Sequence, residues 1–106
     1  MGMNKFAALS DSTRLGIVER LGAGELAAGA IGGHFPVSAP AISQHLKALR
    51  ESGLVKVRID GQRRIYSLDP DGFAEMESWL ARMRGFWSGR LDALENALNQ
   101  DEGEKK

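Results

Sequence analysis

The stretch "PAISQHLKALRESGLV", residues 40–55, decides the fold. Wound as a helix, it places Ile42, Leu46 and Leu49 within an arc of about 60°, with His45 at the edge. Pro40, Ser43, Gln44, Lys47 and Glu51 take the opposite side, and Ser38 and Ala39 stand at the helix entrance. That outer face is short and polar near its start and basic further along, unlike a solvated face of long mixed charges. Both ends are marked. Ser38 offers an oxygen to the first free amides, Pro40 is tolerated in the first turn, and Gly53 suits a left-handed stop.

Immediately downstream, "LVKVRIDGQRRIYSL" (54–68) alternates apolar and polar on both sides of Asp60-Gly61, a strong hairpin signal. Lys56, Arg58, Arg63 and Arg64 flank its turn, where they can reach a nucleic-acid backbone or minor groove. Arg64 also has acidic neighbours with which to pair. Upstream, "HFPVS" (34–38) breaks the chain before a proline. The glycine-rich "GAGELAAGAIGG" (22–33) reads as a loop over 22–25 and a short, poor helix from about Ala27 to Gly33. Asp11 or Ser12 caps a helix through about Leu21 with Leu15, Val18 and Leu21 on one face, and a first short helix covers Met3 to Leu9.

From about Pro70 to Leu98 the chain predicts one long helix, and residues 99–106 a fraying polar tail. Phe73, Met76, Leu80, Met83, Trp87, Leu91, Leu94 and Leu98 follow one another at intervals of three and four, widened by Trp79 and Phe86. Such a helix spans about 40 Å, longer than so small a domain can cover. Its early part is expected on the domain core. Met83, Phe86, Trp87, Leu91, Leu94 and Leu98 are expected against a second copy of the chain. The expected fold is mostly α with a β-hairpin wing, a winged helix-turn-helix, with residues 1–98 as one domain.

Charge agrees with that layout. The whole chain balances 14 basic against 14 acidic residues, yet residues 38–68 carry six basic and two acidic ones. A basic centre in a neutral chain points to a polyanion surface. An architectural DNA binder needs more positive charge than this. The lack of cysteine excludes disulfides and thiolate metal sites, and no apolar run approaches the roughly 20 residues of a membrane helix. With no secretory signal at the N-terminus, the expected compartment is the cytoplasm.

"LSDSTRLGIVERL" (9–21) and "PVSAPAISQHLKALRESGLVKVRIDGQRRIYSL" (36–68), with the long last helix, resemble the ArsR-type family of bacterial winged-helix repressors. The resemblance implies that the helix over 38–52 reads the major groove and the hairpin over 55–68 is the wing. It assigns Ser38, Ala41, Ser43, Gln44 and Lys47 to DNA, and adds Phe6 and Leu9 to the dimer contact. Two positions depart from the family pattern. Ala39 stands where a basic or polar residue is common, implying one phosphate contact fewer, and Ser12 stands where proline often starts the second helix. The family's metal sites are not reproduced: "GELAAGAIGG" has no thiolate or imidazole, and Asp92 and Glu95 on the last helix have no histidine beside them. No metal or other cofactor is expected. His45 is expected to pack or orient the helix, and His34 to lie at or near the surface without chemistry.

Catalysis fails on geometry. Ser43 and His45 lie about 200° apart around the helix, so they cannot form a nucleophile–base pair. "GAIGG" lacks the lysine of a phosphate-binding loop. The reading is therefore a homodimeric transcriptional regulator, a repressor of its own or a neighbouring operon, with a pseudo-palindromic double-stranded DNA operator. The alternative is a winged-helix protein-interaction module without specific DNA binding. Trp79, Phe86 and Trp87 read as packing groups, and nothing in the sequence points to an effector.

Overall fold

In order, the chain forms α1 (Lys5–Ala8), α2 (Ser12–Leu21), β1 (Leu26–Ala27), α3 (Ala28–Gly32), α4 (Ala39–Ser52), β2 (Val55–Asp60), β3 (Arg63–Leu68) and α5 (Pro70–Glu104). This computed structural model describes residues 4–104, with side chains through residue 100. Met3 and residues 105–106 of the expected tail lie outside the described residues. Two compact units adjoin in sequence between Ala74 and Glu75.

In the first unit, α1, α2 and α4 each start where a side chain satisfies an orphan amide, whereas α3 starts after Ala27 without a side-chain cap. Asn4 Oδ1 accepts from the Ala7 amide at 2.8 Å, Asp11 Oδ2 from Arg14 at 3.0 Å, and Ser38 Oγ from Ala41 at 3.2 Å. The core gathers Ala8, Ile17, Val18, Leu21, Ile31, Ile42, Leu46, Leu49, Leu54, Val55, Ile65 and Tyr66. Leu15, expected inward, is 41% exposed, and Ile17 takes its place. The inner stripe of α2 runs through positions 14, 17, 18 and 21, and its first member is an arginine. Arg14 turns inward to donate from Nε to the Ala8 carbonyl at 2.7 Å, so a search for apolar residues alone finds Val18 and Leu21 and adds Leu15 in error.

The helix-turn-helix is α3, the turn over 33–38 and α4. Its turn is anchored by Phe35, whose ring lies so close to α2 that a β-carbon at Gly16 would sit 2.8 Å from Phe35 Cε1. The Arg20 guanidinium covers the same ring at 5.8 Å from the centroid. Helix α4 closes with Gly53 in the left-handed region at φ 86°. There Leu54 N–H donates to Leu49 O and Gly53 N–H to Arg50 O, both at 3.1 Å. This is a Schellman stop, with Leu54 and Leu49 both fully buried as its apolar pair.

The three strands form an antiparallel sheet in the order β1-β3-β2. β2 and β3 pair from Val55↔Leu68 to Asp60↔Arg63, so Gly61 and Gln62 are the turn and Asp60 ends the strand. Gly61 has φ 64° and Gln62 does not share a positive φ, the pattern of a II′ turn whose first central residue is glycine. β1 was not expected. It adds Leu26↔Tyr66 and Ala27↔Ile65 on the far edge of β3, and α3 consequently starts at Ala28 instead of Ala27.

Helix α5 continues past Leu98 to Glu104, where a fraying tail was expected. At its start Asp69 N–H donates to Leu54 O at 2.9 Å, and Gly72 lies so close to Gly53 that a β-carbon would run into the Gly53 carbonyl oxygen. In the second unit, Leu80, Phe86, Trp87, Leu91, Leu94 and Leu98 are exposed and Met83 is half-buried. Among the described residues no helix is long and apolar enough to cross a membrane.

Two outcomes are expected from these contacts. Gly72→Ala meets backbone that cannot yield and destabilises by roughly 1–3 kcal/mol in a thermal melt followed by circular dichroism. Asp11→Ala removes a cap and costs about 1 kcal/mol at neutral pH. The Asp11 carboxyl is held below its usual range chiefly by the Arg14 amide, with further help from the Arg14 charge. A lowered folded pKa stabilises above the unfolded value of about 3.9 and is lost as pH falls through the folded one. The gap between wild type and Asp11→Ala should therefore shrink below about pH 4.

Candidate nucleic-acid interface

The exposed face of α4 follows from its buried one. Ile42, Leu46 and Leu49 fill the core, so Ala39, Pro40, Ser43, Gln44, Lys47, Arg50 and Glu51 stand outside. Ser38 is occupied as the N-cap acceptor, which leaves its hydroxyl hydrogen to donate. Ala41 is half-buried in the first turn. Lys47 and Glu51 approach only to 3.9 Å with both side chains exposed, so the lysine remains available.

The wing supplies the second group. Its register places Lys56, Arg58 and Asp60 on one sheet face and Val55, Val57 and Ile59 on the other. Arg64 lies opposite Ile59 and shares the face of Tyr66. Lys56, Arg63 and Arg64 are exposed, and their side chains make no hydrogen bond or ion pair among the described residues. Arg58 differs. Its Nη2 donates to Glu25 Oε1 at 2.6 Å and its Nε to Oε2 at 3.4 Å, tying the wing to the loop before β1. The hydrogen bond from Arg58 holds the Glu25 carboxyl below its usual range, and the same bond raises the Arg58 guanidinium.

His45 joins α4 to the start of α2. The Arg14 guanidinium lies 3.2 Å from His45 Nδ1, and Asp11 Oδ2 lies 3.8 Å from the same atom. Arginine only donates, so the ring accepts at Nδ1 and its neutral form carries its proton on Nε2. The ring is thus tied to a cap residue and to the arginine of the inner α2 stripe, which orients α4. His34 is exposed in the turn.

Two residues at this surface escaped the sequence reading. Arg50 lies on the Ser43–Lys47 stripe, one turn further on, and borders the same cleft as Ser43, Lys47 and Arg64. The seven-residue spacing from Ser43 is the signal that identifies it. Ile59 is 66% exposed near the wing tip, although the alternation Val55-Val57-Ile59 reads as one apolar face. The core ends before the ribbon does, and periodicity does not reveal where. Among the described residues, no group of three His, Asp or Glu side chains is placed to hold a metal ion.

Comparisons with known proteins agree with this arrangement. Residues 9–58 match the family described as "Helix-turn-helix domain". The HTH-type transcriptional regulator Rv2034 of Mycobacterium tuberculosis is 45% identical over 94 residues, covering 89% of this chain and 85% of that one. The transcriptional repressor SdpR of Bacillus subtilis is 36% identical over 77 residues, 73% of this chain and 86% of that one. Among solved structures, an ArsR-like transcriptional regulator from Rhodococcus sp. RHA1 superposes with TM-score 0.73 at 36% identity, covering 84% of each chain.

The Arg58–Glu25 pair has a direct spectroscopic signature. Carbon-13 NMR of the Glu25 carboxyl should show titration below the ordinary glutamate value of about 4.3, and Arg58→Gln should return it there. An unchanged titration in the variant would mean that the pair does not persist in solution.

Proposed function

The chain belongs to the ArsR-type family of winged helix-turn-helix regulators, which bind DNA and control transcription and are not enzymes; on that premise we propose that it is a homodimeric repressor of its own or a neighbouring operon. The observation that carries the reading is the convergence of an outward α4 face, Ser43, Gln44 and Lys47, with unpaired wing cations. Helix α4 enters the major groove. Gln44 pairs with a base edge, adenine being its bidentate partner, and Ser38, Ala41 and Ser43 permit close approach or hydrogen-bond a base or phosphate. Lys47 and the wing residues Lys56, Arg63 and Arg64 take phosphates, supplying affinity without sequence information. Arg58 joins them on DNA only by leaving Glu25.

Residues 1–98 act together as the DNA-binding and dimerisation domain. The support for a dimer is the apolar surface of α5. Leu91, Leu94 and Leu98 are each more than half exposed, on a stripe continued by Phe86 and Trp87 and by the half-buried Met83. An apolar surface of that extent marks an interaction site. Phe6 on α1 is exposed and Leu9 half-buried, and the family resemblance assigns both to the dimer contact. A twofold pair of α4 helices reads a pseudo-palindrome with half-sites roughly 34 Å apart, one turn of DNA, or a multiple of it. The operation belongs to the cytoplasm, where the DNA is.

Two experiments check the parts separately. In mobility-shift titrations on the DNA upstream of this chain's gene, Gln44→Ala should weaken specific binding and relax base preference. Arg63→Ala should weaken all sequences alike and lower the salt slope by about one. Equal effects of both variants on specific and random DNA would remove the groove assignment. In sedimentation equilibrium, the double variant Leu91→Asp, Leu94→Asp should run as a monomer while keeping its helical signal. A dimer that survives it places the contact elsewhere.

A further inference from the structure

Beside the outward face of α4 lies a cleft of about 530 Å³, bounded by α3, α4 and β3. That volume is in the range of small-molecule sites. Val37, Ile42, Leu46 and Tyr66 supply apolar surface, the last three from the buried core. Lys47, Arg50 and Arg64 stand exposed around it, and no acidic side chain lines it among the described residues. Of the three cations only Lys47 has a carboxylate within 4 Å among the described residues, the exposed Glu51 at 3.9 Å.

The α3 wall explains a feature of the sequence that the fold leaves open. Gly29 and Gly32 occupy two of five positions in this helix and weaken it. Neither has a positive φ, and a β-carbon on either would meet nothing within 4 Å. Backbone geometry and close packing therefore do not call for glycine at either position. What the missing side chains leave is open space in the cleft that both residues line.

We propose that this cleft binds a small amphipathic organic anion, a monocarboxylate with an aliphatic or aryl body, and that its occupancy excludes DNA from α4. The apolar surface takes the body, and Arg50 with Arg64 takes the carboxylate in the bidentate geometry guanidinium favours. A bare phosphate would leave the apolar surface unused. Exclusion rests on the regulator reading above, since Ser43, Lys47 and Arg64 line the cleft and are also assigned to DNA, and Arg64 would hold the carboxylate. Ligand and operator then compete for the same side chains, with no conformational relay between two sites.

The test uses the full chain and three probes: the fluorescent anion 1-anilinonaphthalene-8-sulfonate, octanoate, and uncharged octanol. The dye should bind saturably and octanoate should displace it, with octanol about tenfold weaker or more because the charged hydrogen bonds are lost. Gly32→Leu, which fills the α3 side of the cleft without a charge to engage Lys47 or Arg64, should abolish octanoate displacement while leaving the circular dichroism spectrum and the operator shift intact. Arg50→Ala should weaken octanoate by a similar tenfold and leave octanol unchanged. Octanoate affinity equal in wild type and both variants, or octanol as effective as octanoate, would overturn the site. On DNA, octanoate should release the operator from wild type and not from Gly32→Leu. An operator complex that persists with octanoate bound would overturn the exclusion. Failure to form any specific DNA complex would remove the regulator reading and leave the octanoate results to stand by themselves.

Discussion

The reversal at Gly53 sets the direction of everything that follows α4. Only a residue free to adopt φ 86° lets Leu54 N–H fold back to Leu49 O, and that bond aims the chain from the helix into β2. Leu54 is held at both of its polar ends, since its carbonyl also accepts from Asp69 where α5 begins. Gly72 then closes against the Gly53 carbonyl, with no room for a side chain. Three elements, α4, the hairpin and the start of α5, are thus clamped at one short segment. The angle between α4 and the wing is consequently a property of the backbone and not of surface charges.

On that frame the cations fall into two groups. Arg58 is paired with Glu25, whereas the side chains of Lys56, Arg63 and Arg64 are exposed and have no partner among the described residues. Unpaired cations on a ribbon repel one another, and the arrangement persists because sheet pairing and the buried Ile65 and Tyr66 hold β3 in place. Charge sits where a polyanion can use it, on a scaffold whose stability does not depend on it. The same separation holds along α4, where Asp11, Arg14 and His45 orient the helix from its inner edge and leave Ser43, Gln44 and Lys47 outside.

How much of this the sequence disclosed depends on the range of each interaction. The Ser38 cap, the Gly53 stop and the hairpin were legible because each is decided by residues within about six positions. The α4 faces followed from periodicity alone. Leu15 was misplaced because an arginine fills the inner stripe through its aliphatic stem and a backbone bond, which hydrophobic patterning does not register. β1 was invisible. Two residues carry no alternation, and Leu26 and Ala27 become a strand only through Tyr66 and Ile65 some 40 positions away. The α5 end was set too early because polar residues 99–104 suit a solvated helix as well as a tail. At the candidate interface, the Arg58–Glu25 pair depends on the approach of the β1 loop to the wing, so the charge pattern alone could not separate Arg58 from its neighbours.

The two-residue strand β1 also bears on the order in which the chain assembles. Helix α4, its stop and the hairpin over 55–68 are contiguous, so their contacts form by closing short loops. β1 joins β3 only after a span of roughly 40 residues is drawn together, and it brings a single pair of register positions to offset that entropy. It therefore docks onto a hairpin that already exists and cannot template it. In the finished protein β1 is correspondingly the strand that opens first, carrying with it the Glu25 end of the Arg58 brace and the start of the glycine-bearing α3. Breathing of this edge, at a free energy well below that of global unfolding, would widen the α3 side of the cleft while α4 and the hairpin stay folded.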